Sequence, residues 1–342
     1  MIKLLTGGTR PLRLGYALSR FMKTLEHFVP NKDGWHLSLF QTWDEERLIP
    51  GRRPVLIVPG YGMNSFIFSY HPRGESLEGY LARAGFEVWR VDLRAQGKSV
   101  SIGGGESFGL EDLAVTDLGA AITFALERSR TGADKVDVIG ASLGGTIVFL
   151  HAALQRNNHL GSIVAMGSPV RWVEIHPAIR LAFSVPALVG LVRLRGTRQM
   201  AAFALPHILK RIPSVLSIYM NASITDVSAE MVKTVEDPNR HINREIAYWI
   251  RERDLIVRGQ NLSEAIRDLQ NPLLCVLARG DGIVPRRTAE FPYLTAGSKV
   301  KRLLEVGTTE RAMAHADLFV SNGAQEGVFA PIAGWLASPE NG

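Results

Sequence analysis

Short apolar runs recur along the chain after residue 53, and each of them ends in a loop. The runs cover 54–60, 86–93, 135–142, 161–169, 272–281 and 299–307. They are apolar throughout rather than alternating, which is typical of strands that helices cover on both faces. Helical patterns separate most of these runs, so the sequence predicts an α/β fold with a mostly parallel, doubly wound sheet.

The spacing of apolar residues also predicts the helices. They are expected around 75–84, from 111 to 128, over 143–154, and at the end of the chain near "IAGWLA". Close to the N-terminus, the pattern predicts a helix from about Pro11 to Val29. The stretch "GWHLSLFQTW" that follows alternates as a half-buried strand of an edge hairpin does.

Between the fourth and fifth apolar runs, residues 170–270 show a mostly helical pattern. Helical spacing is clearest over 178–194, 198–212 and 244–257, and Pro186 and Pro206 break the first two of these segments. We therefore expect a helical cap over 170–270, inserted between the strands near 161–169 and 272–281. The remaining predicted parts are an N-terminal helical extension over 1–32 and a core over 33–169 and 271–342.

The composition is that of a globular protein with a well-buried core, with 46% hydrophobic and 21% charged residues. Because Cys275 is the only cysteine, no intramolecular disulfide can form, which suits a reducing compartment. The first residues do not resemble a secretory signal, and no apolar run reaches the ~18 residues of a spanning helix. We expect a cytoplasmic protein. No clustered metal ligands and no phosphate-binding loop occur, so we expect no metal and no cofactor.

The net charge of +6 is concentrated in two stretches that are also rich in apolar residues. Residues 1–30 hold five Lys/Arg against one acidic residue, and residues 170–225 hold seven against one. Nucleic-acid binding would favour basic residues interleaved with aromatics on an exposed face, and this pattern is absent from the sequence. Two interpretations stay open: peripheral contact with a membrane or lipid surface, and solvated helix faces. Nothing in the sequence indicates the oligomeric state.

Ser142 stands between glycines in "GASLGG", where a predicted buried strand ends and a predicted buried helix begins. The motif G-x-S-x-G alone is common by chance, but a tight strand-to-helix turn strains the serine and exposes its Oγ above the sheet edge. Small neighbours at Gly140, Gly144 and Gly145 relieve the crowding. Ser142 is therefore a candidate nucleophile, and a glycine-rich turn with an incidental serine is the alternative.

A serine hydroxyl needs a base, usually a histidine that a carboxylate orients. Among nine histidines, only His315 lies just after the last predicted strand and before the last helix, and Asp281 directly follows the strand at 272–281. Functional groups gather at the carboxyl ends of parallel strands, so the order Ser142, Asp281, His315 predicts a catalytic triad. Ordinary alternatives exist, because Asp281 could cap a helix after Pro285 and His315 could cap the final helix.

Acyl transfer also needs hydrogen-bond donors for the developing oxyanion. The first candidate is the backbone N–H of Leu143, at the start of the helix after the serine. The second is the backbone N–H of Tyr61 in "VPGYGMNSF", with Met63 as the alternative, because Gly60 and Gly62 let the backbone approach closely. The ring of Tyr61 either lines a pocket or packs the turn, and the sequence leaves both open.

With these motifs, the chain resembles the α/β-hydrolases. The resemblance lies in "VPGYG" at the oxyanion loop, "VDLRAQGKS" after the next strand, "GASLGG" at the elbow, "GDGIVP" at the acid turn and "HADLF" at the histidine. It covers roughly residues 33–169 and 271–338, and it implies an α/β-hydrolase fold. Within the superfamily, "SLEGYLARAGFEVWRVDLRAQGKS" is similar to bacterial relatives of acid lipases and polyhydroxyalkanoate synthases.

Several departures from the family pattern narrow the function. Pro59 stands where the oxyanion loop often has histidine, and Ala95 stands where the loop after the next strand usually has glycine, which predicts a changed loop shape. Polyhydroxyalkanoate synthases place cysteine at the elbow, and dehalogenases and epoxide hydrolases place aspartate there. Ser142 therefore disfavours all three activities, and Cys275 is expected in the core.

The sequence thus predicts a serine hydrolase that cleaves carboxylic esters with an apolar acyl group through an acyl-enzyme. The cap would roof the serine and exclude water, and Met63, Tyr219 and Trp249 are candidate pocket residues. Packing of the cap onto the core is the alternative role for each cap residue. An acyltransferase or thioesterase with the same triad, and a non-catalytic receptor for an apolar small molecule, also remain open. The expected partner is a small-molecule ester.

Overall fold

The computed structural model describes residues 21–155, 157–185, 196, 217–226 and 229–338. Its strands are β1 (Met22–Pro30), β2 (Trp35–Asp44), β3 (Val55–Val58), β4 (Val88–Asp92), β5 (Val100–Ser101), β6 (Val136–Ala141), β7 (Leu160–Met166), β8 (Ile256–Val257), β9 (Gln260–Asn261), β10 (Leu273–Ala278) and β11 (Lys301–Val306). The main sheet has the order β1-β2-β4-β3-β6-β7-β10-β11, with β5 beside β2. Pairs β1–β2, β2–β4 and β2–β5 are antiparallel. Along this order, each neighbouring pair from β4 through β3, β6, β7 and β10 to β11 is parallel, so the predicted mostly parallel sheet is confirmed.

Helices connect the parallel strands. They are α1 (Leu77–Arg83), α2 (Leu118–Arg128), α3 (Leu143–Leu154), α4 (Pro177–Ala182), α5 (Arg240–Glu252), α6 (Leu262–Ala265), α7 (Arg286–Ala289), α8 (Phe291–Thr295), α9 (Asp317–Val320) and α10 (Ala330–Leu336). The helix predicted over 111–128 begins as a wide π-helical segment, Asp112–Asp117, before α2. The predicted helices at 75–84, at 143–154 and near the end of the chain are confirmed as α1, α3 and α10.

The core lies on both faces of the sheet. In β3 the side chains of Leu56 and Val58 join a buried cluster that includes residues of α2 and α3. Val55 and Ile57 point the other way and join a second buried cluster that includes residues of α1 and α10. Because successive side chains of a strand alternate between faces, a strand covered on both sides must be apolar at every position. This is why the sequence showed continuous apolar runs.

At the N-terminal end of the described chain, residues 22–30 form a strand, so the predicted helix is wrong there. β1 pairs with β2 along its whole length, and Thr24 Oγ1 lies 2.9 Å from Thr42 Oγ1. Pairing to β2 satisfies the backbone of this segment, which local apolar spacing cannot reveal. Residues 11–20 of the predicted helix lie outside the described residues. The edge hairpin is confirmed, although β2 is almost wholly buried because it lies inside the sheet, between β1 and β4.

The predicted cap is described in part. Within 170–270 the structure contains α4, the segment 217–226, a 3₁₀ helix at Ala229–Thr234, α5 and the β8–β9 hairpin. The helix expected over 244–257 is α5, which ends earlier, at Glu252, where Arg253 adopts a positive φ of 71°. Most of the two other predicted helices, including Pro186 and Pro206, lies outside the described residues. The cap and its boundaries therefore stay a prediction.

The loop after β4 keeps an unusual backbone at the position where the α/β-hydrolases usually have glycine. Ala95 has a φ of 58°, in the left-handed region that costs a residue with a Cβ roughly 1–2 kcal/mol. The Arg94 guanidinium beside it binds the buried carboxylate of Asp117, with Arg94 Nη2 to Asp117 Oδ1 at 2.7 Å. Alanine therefore adopts a left-handed backbone beside a buried ion pair, at a cost in strain.

Two sequence observations concern the rest of the described chain. No helix among the described residues is long and apolar enough to cross a membrane. Cys275 is buried in β10, where burial raises the pKa of its thiol to about 12. A thiol that stays protonated and enclosed is a core residue, as expected.

Asp137, at the start of β6, gives a prediction about stability and pH. Its side chain is 1% exposed and pairs with Arg53, and burial raises its pKa to about 6. The folded state therefore holds a proton that the unfolded chain, with a pKa near 3.9, releases. The contribution of Asp137 to stability should therefore fall as pH rises from about 4 to 6, by roughly 3 kcal/mol.

The D137N variant should lack this loss, because an amide does not titrate. We expect the free energy of unfolding of the wild type to fall relative to that of D137N between pH 4 and pH 7, as measured by urea denaturation. Parallel pH dependences for the two proteins would contradict the assignment.

Candidate active site

Ser142 occupies a strained bend between β6 and α3. Its φ of 54° and ψ of −124° lie far from the values that residues with a Cβ prefer. Two backbone hydrogen bonds hold the bend. The Ser142 N–H donates to the Met166 carbonyl (2.8 Å), and the Ser142 carbonyl accepts from the Gly145 N–H (3.0 Å). Strain that the surroundings impose on one polar residue is typical of functional sites.

The glycines around the bend are required by close packing. A Cβ on Gly144 would lie 2.3 Å from the Val58 carbonyl oxygen, and one on Gly145 would lie 2.0 Å from Ser168 Oγ. On the other side, a Cβ on Gly60 would lie 2.8 Å from the Cβ of Ser142. The loop after β3 therefore packs directly against the serine.

Asp281 and His315 form a buried pair beside this bend. His315 Nδ1 donates to Asp281 Oδ2 at 2.6 Å, and both side chains are almost completely buried. The other carboxylate oxygen, Oδ1, accepts the backbone N–H groups of Ile283 and Val284, each at 2.8 Å. These bonds hold Asp281 in its own turn, so it does not cap the helix after Pro285. His315 does not cap the final helix either, since the N-cap of α10 is Phe329 and that of the nearer α9 is Ala316.

The second imidazole nitrogen, His315 Nε2, is the atom that the predicted triad needs as a base. His315 Nε2 is buried and makes no hydrogen bond to any described residue, Ser142 included. Ser142 and His315 nevertheless line the same cavity. In proteins without bound substrate, such hydrogen bonds are often long and tighten only in the reacting complex.

Gly167 was missed by the sequence analysis although it helps to position the pair. It follows β7 with a φ of 54°, and a Cβ there would lie 3.0 Å from His315 Cε1 and 3.2 Å from Asp281 Oδ2. The glycine thus leaves room for the carboxylate and the imidazole to meet above β7. The available signal was its place in "AMGSP", directly after a predicted strand.

A cavity of about 250 Å³ opens above Ser142. The predicted pocket residues Met63, Tyr219 and Trp249 all line it. Its described lining otherwise consists of Tyr61, Ser142, Leu143, Pro169, Trp172, Ile179, Phe183, Ile246, Ile250, Ile283, Val284 and His315. Apart from the serine, the histidine and the tyrosines, the wall is formed by apolar side chains, which suits a hydrophobic ligand.

Trp172, Ile246 and Ile250 also form this wall, although they were not predicted as pocket residues. Trp172 packs edge to face on Trp249, with ring centroids 5.5 Å apart. Ile246 and Ile250 lie on the same face of α5 as Trp249 because residues three and four apart share a helix face. Their spacing was visible in the sequence, but only the docking of α5 over Ser142 shows what that face covers.

Tyr61 and Leu143, the two predicted oxyanion residues, both line the cavity with Ser142. Leu143 is the first residue of α3, so its N–H has no acceptor within the helix. Tyr61 lines the cavity and also packs against the buried core, so both options left open by the sequence apply, and its hydroxyl donates to Asn243 Oδ1 on α5 at 2.7 Å. Burial raises the pKa of Tyr61 above its usual range, so this hydroxyl remains a donor at neutral pH.

The described residues hold no group of three or more histidine, cysteine, aspartate or glutamate side chains that could bind a metal ion. Among the described lining residues, the polar groups are a serine hydroxyl, an imidazole bound to a carboxylate, two tyrosine hydroxyls and the indole N–H groups of two tryptophans. Such an arrangement can activate a hydroxyl for attack on a carbonyl carbon.

Several solved structures share the fold. A thermophilic esterase from Thermogutta terrifontis is 18% identical over 92% of this chain and 98% of that one, with a TM-score of 0.59. A monoacylglycerol lipase from Paleococcus ferrophilus is 21% identical over 88% and 98%, with a TM-score of 0.55. An esterase from a Rhodococcus species is 15% identical over 92% and 98%, with a TM-score of 0.58. At these identities the likeness is one of fold.

Sequence comparison adds the family. No curated protein matches the chain. The sequence model of the serine aminopeptidase S33 family matches residues 51–306, which include the elbow, the acid turn and most of the sheet. The chain therefore belongs to the serine aminopeptidase S33 family, and the resemblance to the α/β-hydrolases is confirmed.

Proposed function

We propose that this protein is a serine hydrolase of carboxylic esters with an apolar acyl group. The observation that carries the proposal is the strained Ser142 at the floor of an apolar cavity, which it shares with the unpartnered Nε2 of a buried His315–Asp281 pair. Esterases and lipases among the proteins of the same fold support the reaction class without deciding it.

In the proposed mechanism, Ser142 Oγ attacks the ester carbonyl while His315 Nε2 takes its proton. Asp281 accepts the Nδ1–H, which keeps the imidazole in the tautomer whose Nε2 is a base, and stabilises the imidazolium that forms. His315 then protonates the leaving alcohol, and the acyl group stays on Ser142. In the second half of the cycle, His315 takes a proton from water as the water attacks the acyl carbon. The bond between the acyl group and Ser142 Oγ then breaks, the carboxylic acid leaves, and His315 returns the proton to Ser142 Oγ.

The backbone N–H groups of Leu143 and Tyr61 are proposed to bind the oxyanion. Leu143 contributes a donor that the helix leaves free, and Gly60 brings the loop of Tyr61 against Ser142. Each such donor contributes roughly 2.7–4 kcal/mol to transition-state stabilisation.

The cavity favours an ester over the N-terminus of a peptide. An aminopeptide substrate carries a free ammonium group, which needs a carboxylate or several carbonyl oxygens to bind it. No aspartate or glutamate is among the cavity's described lining residues. At about 250 Å³, the cavity is also smaller than the roughly 300–1,000 Å³ typical of pockets for drug-sized ligands. Short acyl groups fit it best.

A substrate panel tests this function. We expect turnover of p-nitrophenyl esters to peak at a short acyl chain and to fall by at least tenfold for palmitate, because a long chain cannot be buried. Aminoacyl p-nitroanilides should be hydrolysed at least a hundredfold more slowly than the best ester. Faster hydrolysis of the anilides would contradict ester specificity. If folded protein turns over neither class, a receptor for an apolar molecule becomes the better explanation.

A further inference from the structure

Asp317 is a buried carboxylate that the proposed mechanism does not use. It lies two residues after His315 in the "HADLF" motif, and it is fully buried. Burial raises the pKa of this carboxyl, while its hydrogen bonds lower it. A buried carboxylate costs several kcal/mol unless it is well bonded, so its partners indicate what it holds in place.

The donors to Asp317 come from two different parts of the chain. The Ala314 N–H, in the loop that carries His315, donates to Oδ2 at 2.7 Å. The Asn221 N–H and the Thr225 hydroxyl, both in the segment 217–226, donate at 3.0 Å and 2.6 Å. We call the segment 217–226 the cap strap. Asp317 therefore joins the histidine loop to the cap strap.

The cap strap also binds both loops of the acid–base pair through its backbone. The Ile218 carbonyl accepts the Gly282 N–H at 3.0 Å, next to Asp281. The Tyr219 carbonyl accepts the Ala316 N–H at 2.7 Å, next to His315. The contact at the acid turn is tight, because a Cβ on Gly282 would lie 2.5 Å from the Cβ of Ile218.

Tyr219 transmits this arrangement to the cavity. Its ring centroid lies 6.2 Å from that of His315, and the residue lines the cavity beside the imidazole. A displacement of the cap strap would therefore move a cavity wall, the histidine loop and the acid turn together.

We propose that Asp317 is a positioning residue that fixes the cap strap to the histidine loop, so that His315, Asp281 and the Tyr219 wall keep one geometry. This inference rests on the proposed function for its effect on catalysis. Asp317 contacts neither Ser142 nor the reacting atoms, and it acts through the loop it holds. Errors of about 1 Å in the position of a catalytic group cost roughly 10²-fold in rate.

The test compares D317N and T225V with the wild type, and D137N is the matched control. In D317N the amide nitrogen faces N–H or O–H donors, whereas T225V removes only the Thr225 hydroxyl and leaves the Asn221 N–H as the cap strap's donor to Asp317. D137N makes the same carboxylate-to-amide change in a buried site at the start of β6. All four proteins are assayed with the best p-nitrophenyl ester, and the His315 Nδ1–H resonance is observed by proton NMR.

We expect kcat to fall by roughly 30- to 100-fold in D317N and three- to tenfold in T225V, with KM changed less than threefold. The low-field Nδ1–H resonance should shift or broaden in both variants and stay as in the wild type in D137N. If D317N does not fold, T225V carries the test. Wild-type kcat and an unchanged resonance in T225V and in any folded D317N would overturn the inference.

The NMR readout separates this inference from the proposed function. A wild type that hydrolyses no ester, with a resonance that still shifts in T225V, would reject the esterase and retain the positioning role. An active wild type whose D317N and T225V variants keep wild-type kcat and an unchanged resonance would retain the esterase and reject the positioning role.

Discussion

Replacing Ser142 with alanine is expected to lower kcat for p-nitrophenyl esters by roughly 10⁶-fold. The variant keeps the elbow, the cavity and the His315–Asp281 pair, but no oxygen remains to form the acyl-enzyme. Hydrolysis would then depend on water alone, assisted only by binding and the oxyanion donors. A fluorophosphonate probe should label the wild type at Ser142, as mapped by peptide mass spectrometry, and should leave S142A unlabelled.

Ser168 offers a matched control for this variant. It is also buried at the carboxyl end of the sheet, but its hydroxyl donates to the Gly140 and Met166 carbonyls, each at 3.2 Å, and it is not among the described cavity-lining residues. S168A should be labelled at Ser142 and retain activity within a few-fold of the wild type. Labelling of S142A at another serine, with turnover intact, would exclude Ser142 as the nucleophile.

The second large effect is expected from Asp281→Asn, at roughly 10⁴-fold in kcat. In the wild type, Asp281 Oδ1 accepts two backbone N–H groups and Oδ2 accepts the imidazole N–H. In D281N the single oxygen must still satisfy the backbone donors, so the amide nitrogen turns toward His315. An amide N–H forces Nδ1 to accept, which places the proton on Nε2 and removes the base.

Activity and probe labelling measure this loss together. The rate of fluorophosphonate labelling should fall in parallel with kcat, since both reactions need a deprotonated Nε2. D137N again serves as the control for a buried carboxylate changed to an amide, and it should retain wild-type rates at neutral pH. If D281N kept more than a tenth of the wild-type kcat while folded, Asp281 would not be the orienting acid.

Much of the fold could be predicted because its signals are local. A strand covered on both faces is mostly apolar: β3 and β10 are apolar at every position, and β6 and β7, which are buried over their whole length, carry only Asp137 and Ser162 as polar side chains. The tight turn at Ser142 likewise demands glycines on both sides, and these stand within a few residues of it. Burial and steric crowding of this kind leave a direct trace in the sequence.

The strand at residues 22–30 shows where local signals fail. Its apolar residues fit a helix, yet its backbone pairs with β2, and pairing partners are not written in the segment itself. The predicted change in the loop at Ala95 stays a prediction. The structure shows that alanine adopts a left-handed backbone there, at a cost in strain.

For the candidate site, the sequence by itself determined which side chains are available and after which strands they stand. Ser142, Asp281 and His315 could be named because parallel strands bring their carboxyl ends to one edge. Only the tertiary structure decided the 2.6 Å contact between His315 and Asp281, the cavity under α5, and the bonds from Asp317 to the cap strap. These contacts join residues far apart in the chain, and their geometry follows from how whole elements pack, which no local pattern encodes.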